Sequence, residues 1–271
     1  MSALTFASAP EDAEALYSAE ADYARMAGEL AGRVTLLLTA AGRDERAAER
    51  FRAGLVAFCD RELLPHTAAE EATLYPVARR LPDTRLLVEG LIGEHRCLAS
   101  LVDALRTAPT TAGAAADARA LQVVFEEHVA KQNGLVLPLL AAAPGVRLAR
   151  LLERLHHRIA HTPSNGGASA ADDAEKAGGM KTEESGGCGC ACGGEEATEP
   201  VLDVRDIPHA LRHATVFGAL EAVPAGQAMV LVAPHDPIPL LAQIEQRNPG
   251  LFAVEYLRRG PEAWRLRLSH R

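Results

Sequence analysis

The stretch His66–Pro76, HTAAEEATLYP, decides how the chain is read. It sets a histidine, a carboxylate four residues later at Glu70, and a proline ten residues after the histidine. A second copy, HVAKQNGLVLP, runs from His128 to Pro138, with Gln132 where the first copy has Glu70. Side chains four apart share one helix face. His66 and Glu70 can therefore reach the same point in space, which is the geometry of a metal site.

The flanking residues predict that this face is dry. Phe51, Leu55, Cys59, Leu63, His66, Glu70 and Leu74 fall on one helical stripe. Pro65 lies inside that helix, where a proline frees the carbonyl of Arg61 and favours a kink. Upstream, Leu16, Tyr23, Met26, Leu30, Val34 and Leu37 form a second stripe, separated from the first by AAGRDE. Downstream, Leu87, Leu91, His95, Leu98, Val102 and Leu105 form a third. TAPTTAGAAAD then reads as a soft linker. Leu121, Val124, His128, Gln132, Leu135 and Leu139 form a fourth stripe, and a short fifth helix spans Gly145 to about Ile159. Four amphipathic helices with short connections predict an all-α antiparallel four-helix bundle over residues 12–161.

His66, Glu70, His95, His128 and Gln132 all stand on apolar stripes. Burying them costs several kcal/mol unless they satisfy one another or a metal ion. EHRCLA around His95 parallels DYARMA around Tyr23. Two half-sites follow: Tyr23 with His66 and Glu70, and His95 with His128 and Gln132. A tyrosine on such a stripe serves either as core filling or as a phenolate metal ligand. Cys59 and Cys97 read as ordinary small core residues. His157 and His161 read as cations at a helix C-terminus.

On these motifs the first ~160 residues resemble the hemerythrin-like, or HHE, cation-binding domains. The resemblance implies a four-helix bundle with non-haem iron between the helices, and His66, Glu70, His95 and His128 as ligands. The sequence departs from the family pattern at Tyr23, where a histidine is expected, and at Gln132, where a carboxylate is usual. Ala99 stands where oxygen carriers have a further histidine, which argues against reversible oxygen carriage. With few carboxylates to bridge two ions, the expectation is a mononuclear or weakened di-iron centre.

Bulk properties narrow the classes further. The chain has 271 residues, 48% hydrophobic, with a formal charge of −8. That balance argues against nucleic acid and anionic membranes as partners. No signal peptide and no spanning segment is legible, so a cytoplasmic location is expected. Five cysteines, three of them in CGCAC, do not form an extracellular disulfide framework.

Residues 162–200 are Gly, Ser, Ala and acid, and read as a disordered linker. Within it, Cys188, Cys190 and Cys192 could chelate a soft cation or form a labile disulfide, but they lack the spacing of a structural zinc site. A Gly-rich tether with incidental cysteines is the other reading. Residues 201–271 alternate as β-α-β-α-β-β, a small α+β two-layer sandwich. Asp236 before Pro237 reads as a helix N-cap. This segment resembles an uncharacterised family appended to hemerythrin-like domains, with a fold similar to the TusA-type sulfur carriers. LDVRDIPHA aligns with their LDxxGLxCP pattern, but His209 replaces the sulfur-accepting cysteine, so the resemblance does not extend to persulfide relay. The last strand alternates Trp264, Leu266 and Leu268 with Arg265 and Arg267, giving a basic face that could dock the acidic linker.

The expected function is a cytosolic non-haem iron-binding protein with a sensing, storage or redox-response role. Its partner is a metal ion, with O2, NO or peroxide as candidate small ligands. Two alternatives stay open: an iron-dependent peroxide or nitric-oxide scavenging enzyme, and a metal-free interaction module with a decayed site.

Overall fold

The computed structural model describes residues 7, 9–161, 199–207 and 209–271. Its helical part comprises α1 (Pro10–Ala40), α2 (Glu45–Phe58), α3 (Leu64–Thr73), α4 (Tyr75–Ala78), α5 (Arg85–Thr107), α6 (Thr111–Lys131), α7 (Leu137–Ala142) and α8 (Leu148–Ala160). A π-helical turn at Cys59–Leu63 joins α2 to α3, and another at Gln132–Val136 joins α6 to α7. The result is four rods, α1, α2–α3, α5 and α6–α7, with α8 laid against α1 and α3. The helical bundle anticipated from the stripes is the fold observed.

Each π turn ends two residues before a proline. Leu64 N–H reaches back five residues to the Cys59 carbonyl, and Leu137 N–H to the Gln132 carbonyl. Pro65 and Pro138 have no N–H to donate. The chain accommodates that by widening the preceding turn by one residue. At α6–α7 this advances the helical phase. Leu135 and Leu139, expected inside, are 48% and 36% exposed, whereas Val136, Leu137 and Leu140 are buried. The stripe through α2–α3 survives because its spacing already contains the extra step: Leu55, Cys59, Leu63, His66 and Glu70 are all buried.

TAPTTAGAAAD is not a soft linker. Thr110 caps α6, its hydroxyl accepting from Gly113 N–H at 3.1 Å, and the alanines extend the helix, as their propensity favours. Between α1 and α2, Asp44 accepts from Ala47 N–H at 2.9 Å after Gly42 turns the chain at φ 77°.

The C-terminal part runs β1 (Val201–Asp203), α9 (His209–Ala222), β2 (Ala228–Ala233), α10 (Ile238–Arg247), β3 (Phe252–Arg258) and β4 (Trp264–His270). Its sheet has the order β1-β2-β4-β3. β1 and β2 are parallel and the remaining pairs antiparallel. Met229, Leu231 and Leu268 share one core with Val216 and Leu220 of α9 and Ile244 of α10. Asp236 does not cap α10, whose N-cap is Pro237 with no side-chain bond. Its carboxylate instead accepts from Tyr256 O–H at 2.8 Å. Of the basic face, Arg267 pairs with Glu199 (Nε to Oε1 2.6 Å) and Arg258 with Glu262 (3.1 Å), and Arg259 lies over the Tyr256 ring. Glu199 is the one acid of the expected linker that falls among the described residues; Cys188, Cys190 and Cys192 lie outside them, as does the side chain of His209.

The two parts pack directly on each other through α1 and α9. A Cβ at Gly32 would lie 2.1 Å from the Thr215 carbonyl oxygen, and one at Gly218 would lie 2.3 Å from that of Glu29. At Gly28 it would meet the Ala214 Cβ at 2.3 Å. Only glycine lets the two backbones come this close. Beside this seam Arg33, 4% exposed, donates to the Glu29 carbonyl at 3.1 Å and pairs with Glu221 at 2.5 Å. Its guanidinium also stacks 4.3 Å from the Phe58 ring centroid. Small residues four apart were readable on both helices, Gly28 and Gly32 in AGELAG and Ala214 and Gly218 in ATVFG, but not which partner they served.

Candidate metal centre

Glu70 is fully buried at the middle of the bundle, on α3. One carboxylate oxygen, Oε1, accepts a short hydrogen bond from Tyr23 O–H of α1 and lies 3.8 Å from His66 Nε2. The other, Oε2, lies 3.1 Å from His95 Nε2 of α5 and 3.6 Å from His128 Nε2 of α6. The two imidazole nitrogens are 3.4 Å apart. Among the described residues, Glu70, His95 and His128 are the group whose ligand atoms all fall within 4.8 Å of one another.

The outer contacts set the histidine tautomers. His95 Nδ1–H donates to Glu71 at 2.8 Å, and His128 Nδ1–H to Glu94 at 3.2 Å. Lys131 Nζ braces Glu94 at 2.5 Å. A carboxylate on one ring nitrogen directs the lone pair of the other inward, the arrangement that metal-binding histidines use. His66 Nε2 is buried without a hydrogen-bond partner, and Glu70 Oε2 is buried facing the His95 and His128 nitrogens without a well-aligned hydrogen bond. Buried acceptors left in this state are rare in a packed interior, and together with two inward Nε2 atoms they describe a cradle for a cation.

The protonation states follow from burial and this charge. Burial alone would raise the Glu70 carboxyl, but His128, His95 and His66 hold it well below the usual carboxylate range. Burial would lower His95, yet Glu70 and Glu71 outweigh it and raise its affinity for a proton. At His66 burial wins and holds the imidazole neutral. Tyr23 is pushed well above the ordinary phenol range by burial and then by Glu70. A neutral phenol donating to the carboxylate is thus the state of Tyr23 when no cation is bound.

All six sequence-predicted residues are buried around this point: Tyr23, His66, Glu70, His95, His128 and Gln132. The two half-sites do not stand apart, because Glu70 faces both. Gln132 crosses between them, donating from Nε2 to Tyr23 Oη at 3.2 Å. Gln132 is also the first residue of the second π turn. The Glu71 side chain is 42% exposed and meets His95 Nδ1 from outside the cluster. Sequence reasoning missed Tyr75, which is 1% exposed, with its hydroxyl 3.4 Å from His95 Nε2 and its ring stacked on that imidazole. Its position one residue before the motif's proline, in register with buried Leu137, was the available signal. The roles of Glu71 and Glu94 were also missed; each directly follows or precedes an inward ligand-type residue. His157 and His161 stack on the surface at 4.0 Å, away from the cluster, and Cys97 is exposed whereas Cys59 is buried.

A helical bundle with a buried carboxylate–imidazole cluster that could hold a cation is the class that this fold defines. Consistent with that class, residues 24–140 match the family described as Hemerythrin HHE cation binding domain. Residues 201–270 match a second family, described as Uncharacterized conserved protein (DUF2249). No curated protein and no solved structure matches the chain. Among the described residues no helix is long and apolar enough to cross a membrane.

Proposed function

We propose that the bundle binds iron at Glu70, His95 and His128, and that the protein senses, stores or responds to it. One observation carries the reading: Glu70 Oε2 lies 3.1 and 3.6 Å from two inward imidazole nitrogens, and the buried His66 Nε2 beside them has no hydrogen-bond partner. Two imidazoles and a carboxylate suit a borderline divalent ion such as ferrous iron. Tyr23, His66 and Gln132 would complete the surroundings. Glu70 faces both halves of the site, which supports a principal ion on the His95–His128 side and a weaker second position toward His66. When bound, iron would supply Lewis-acid and one-electron chemistry; the side chains hold it, exclude water and set the tautomers. Packing of α9 on the helix that carries Tyr23 supports a signalling relation between the two parts.

The test is metal analysis of full-length protein purified with ferrous iron. Retention of about one equivalent, lost in His128→Ala, is expected. Less than about a tenth of an equivalent, with His66→Ala unchanged in stability, would discard the reading and leave a metal-free buried network.

A further inference from the structure

Away from the metal centre, the C-terminal part contains a cavity of about 260 Å³ at the carboxyl ends of the parallel strands β1 and β2. In sheets of this kind the carboxyl ends of parallel strands are where ligands gather, because the helices that follow diverge there. Val216 and Leu240 supply its apolar wall, and Pro234, Pro237 and Pro239 its rim. Each proline ring fixes a backbone angle, so three of them hold the opening in shape before any ligand arrives.

The polar part of the lining holds one fixed cation, Arg212. Among the described residues, Arg212, His213 and His235 line the cavity, and no carboxylate does. Arg212 is anchored by two backbone carbonyls, its Nε donating to Ile207 at 2.8 Å and its Nη2 to Arg205 at 3.1 Å. Those bonds fix its position without neutralising its charge. His213 is held by Gln243, with Nδ1 to Oε1 at 3.0 Å, which leaves its Nε2 unengaged by that bond. The two following helices, α9 and α10, both begin at this end of the sheet and add the positive ends of their dipoles.

We propose that this cavity binds a small molecule with a compact apolar body and a single anionic group, a carboxylate or sulfonate, with Arg212 as the anion's partner. The volume lies just under the range of sites for drug-sized ligands, which suits a body of one or two rings or a short branched chain. Val216 and Arg212 belong to α9, whose Ala214, Thr215 and Gly218 press on α1. Occupancy of the cavity would thus be felt on the helix that holds the two parts together.

The experiment titrates full-length, nitrogen-15-labelled protein with naphthalene-1-sulfonate and, separately, with the neutral 1-naphthalenemethanol, following amide shifts. Saturable shifts centred on Val204, Val216 and Leu240 are expected with the sulfonate. Arg212→Gln should weaken the sulfonate about tenfold or more while leaving the neutral probe within about twofold. Absence of saturation, shifts centred elsewhere, or equal weakening of both probes would overturn the proposal. Because Arg212 also ties two carbonyls, its variant is first checked for unchanged amide dispersion. If the variant is unfolded, His235→Ala decides: a selective loss of about threefold or more for the sulfonate supports the proposal, and no selective loss overturns it.

Discussion

Among the described residues, Glu70 supplies the only carboxylate whose oxygens are enclosed by the candidate metal centre; the histidines, Tyr23 and Gln132 supply the other inward groups. Replacing Glu70 with glutamine should abolish stable metal retention, as read by metal content after desalting. Glu94→Gln leaves the inner groups in place but releases the His128 tautomer; metal affinity should fall about 10–100-fold, measured by chelator competition. The pH dependence has a definite sign. His95 binds its proton more tightly than an ordinary histidine. The stability that this proton confers on the metal-free protein is therefore present below the ordinary histidine range and lost as pH rises through the raised value. Metal must displace that proton, so affinity should rise with pH and loading should release protons, detectable in weakly buffered solution. Histidines and a glutamate on apolar stripes were legible because helical spacing fixes which residues share a face. Tyr75 and Glu94 were not, since a second tyrosine and a surface acid look ordinary until the rings they touch are placed.

At the scale of elements, the glycine seam sets the sharpest constraint. Helix propensity alone would favour Gly32→Ala by about 1 kcal/mol. The added methyl would sit 2.1 Å from a backbone carbonyl oxygen of α9, and that atom cannot rotate away. The clash wins, and net destabilisation of about 1–3 kcal/mol is expected from urea unfolding. A gain in stability would mean that α9 does not rest on α1 at this distance. The seam also explains a gap in sequence reading. The stripes of α1 that face the bundle were legible, whereas its opposite face looked merely small and polar. Closeness between helices leaves no hydrophobic signature, only missing side chains. The π turns were hidden for a related reason. A fixed three/four spacing cannot register one inserted residue, so Leu135 and Leu139 were assigned inward when the widened turn sends them out.

For the whole molecule, one apolar core runs from the bundle into the C-terminal sheet. The chain has a single tryptophan, Trp264, in the last strand, while helical circular dichroism reports mainly on the bundle. If α1 and α9 unfold together, the two signals should share one midpoint in denaturant. Midpoints separated by more than experimental error would show two independently stable bodies. The order of elements in both parts was readable, because periodicity and turn residues are local. Their mutual packing was not, since the intervening Gly- and acid-rich sequence suggested a tether and nothing in it encodes where its two ends are held.

The seam between α1 and α9 bears on what the intervening sequence is for. Backbone-to-backbone contact, a buried arginine shared with Glu221 and a common core do not need a covalent connection to persist. Severing the chain anywhere between residues 162 and 198 should leave two fragments that co-elute as one species on gel filtration. Covalent continuity would then raise the local concentration of one half around the other, and the surfaces themselves would supply the recognition.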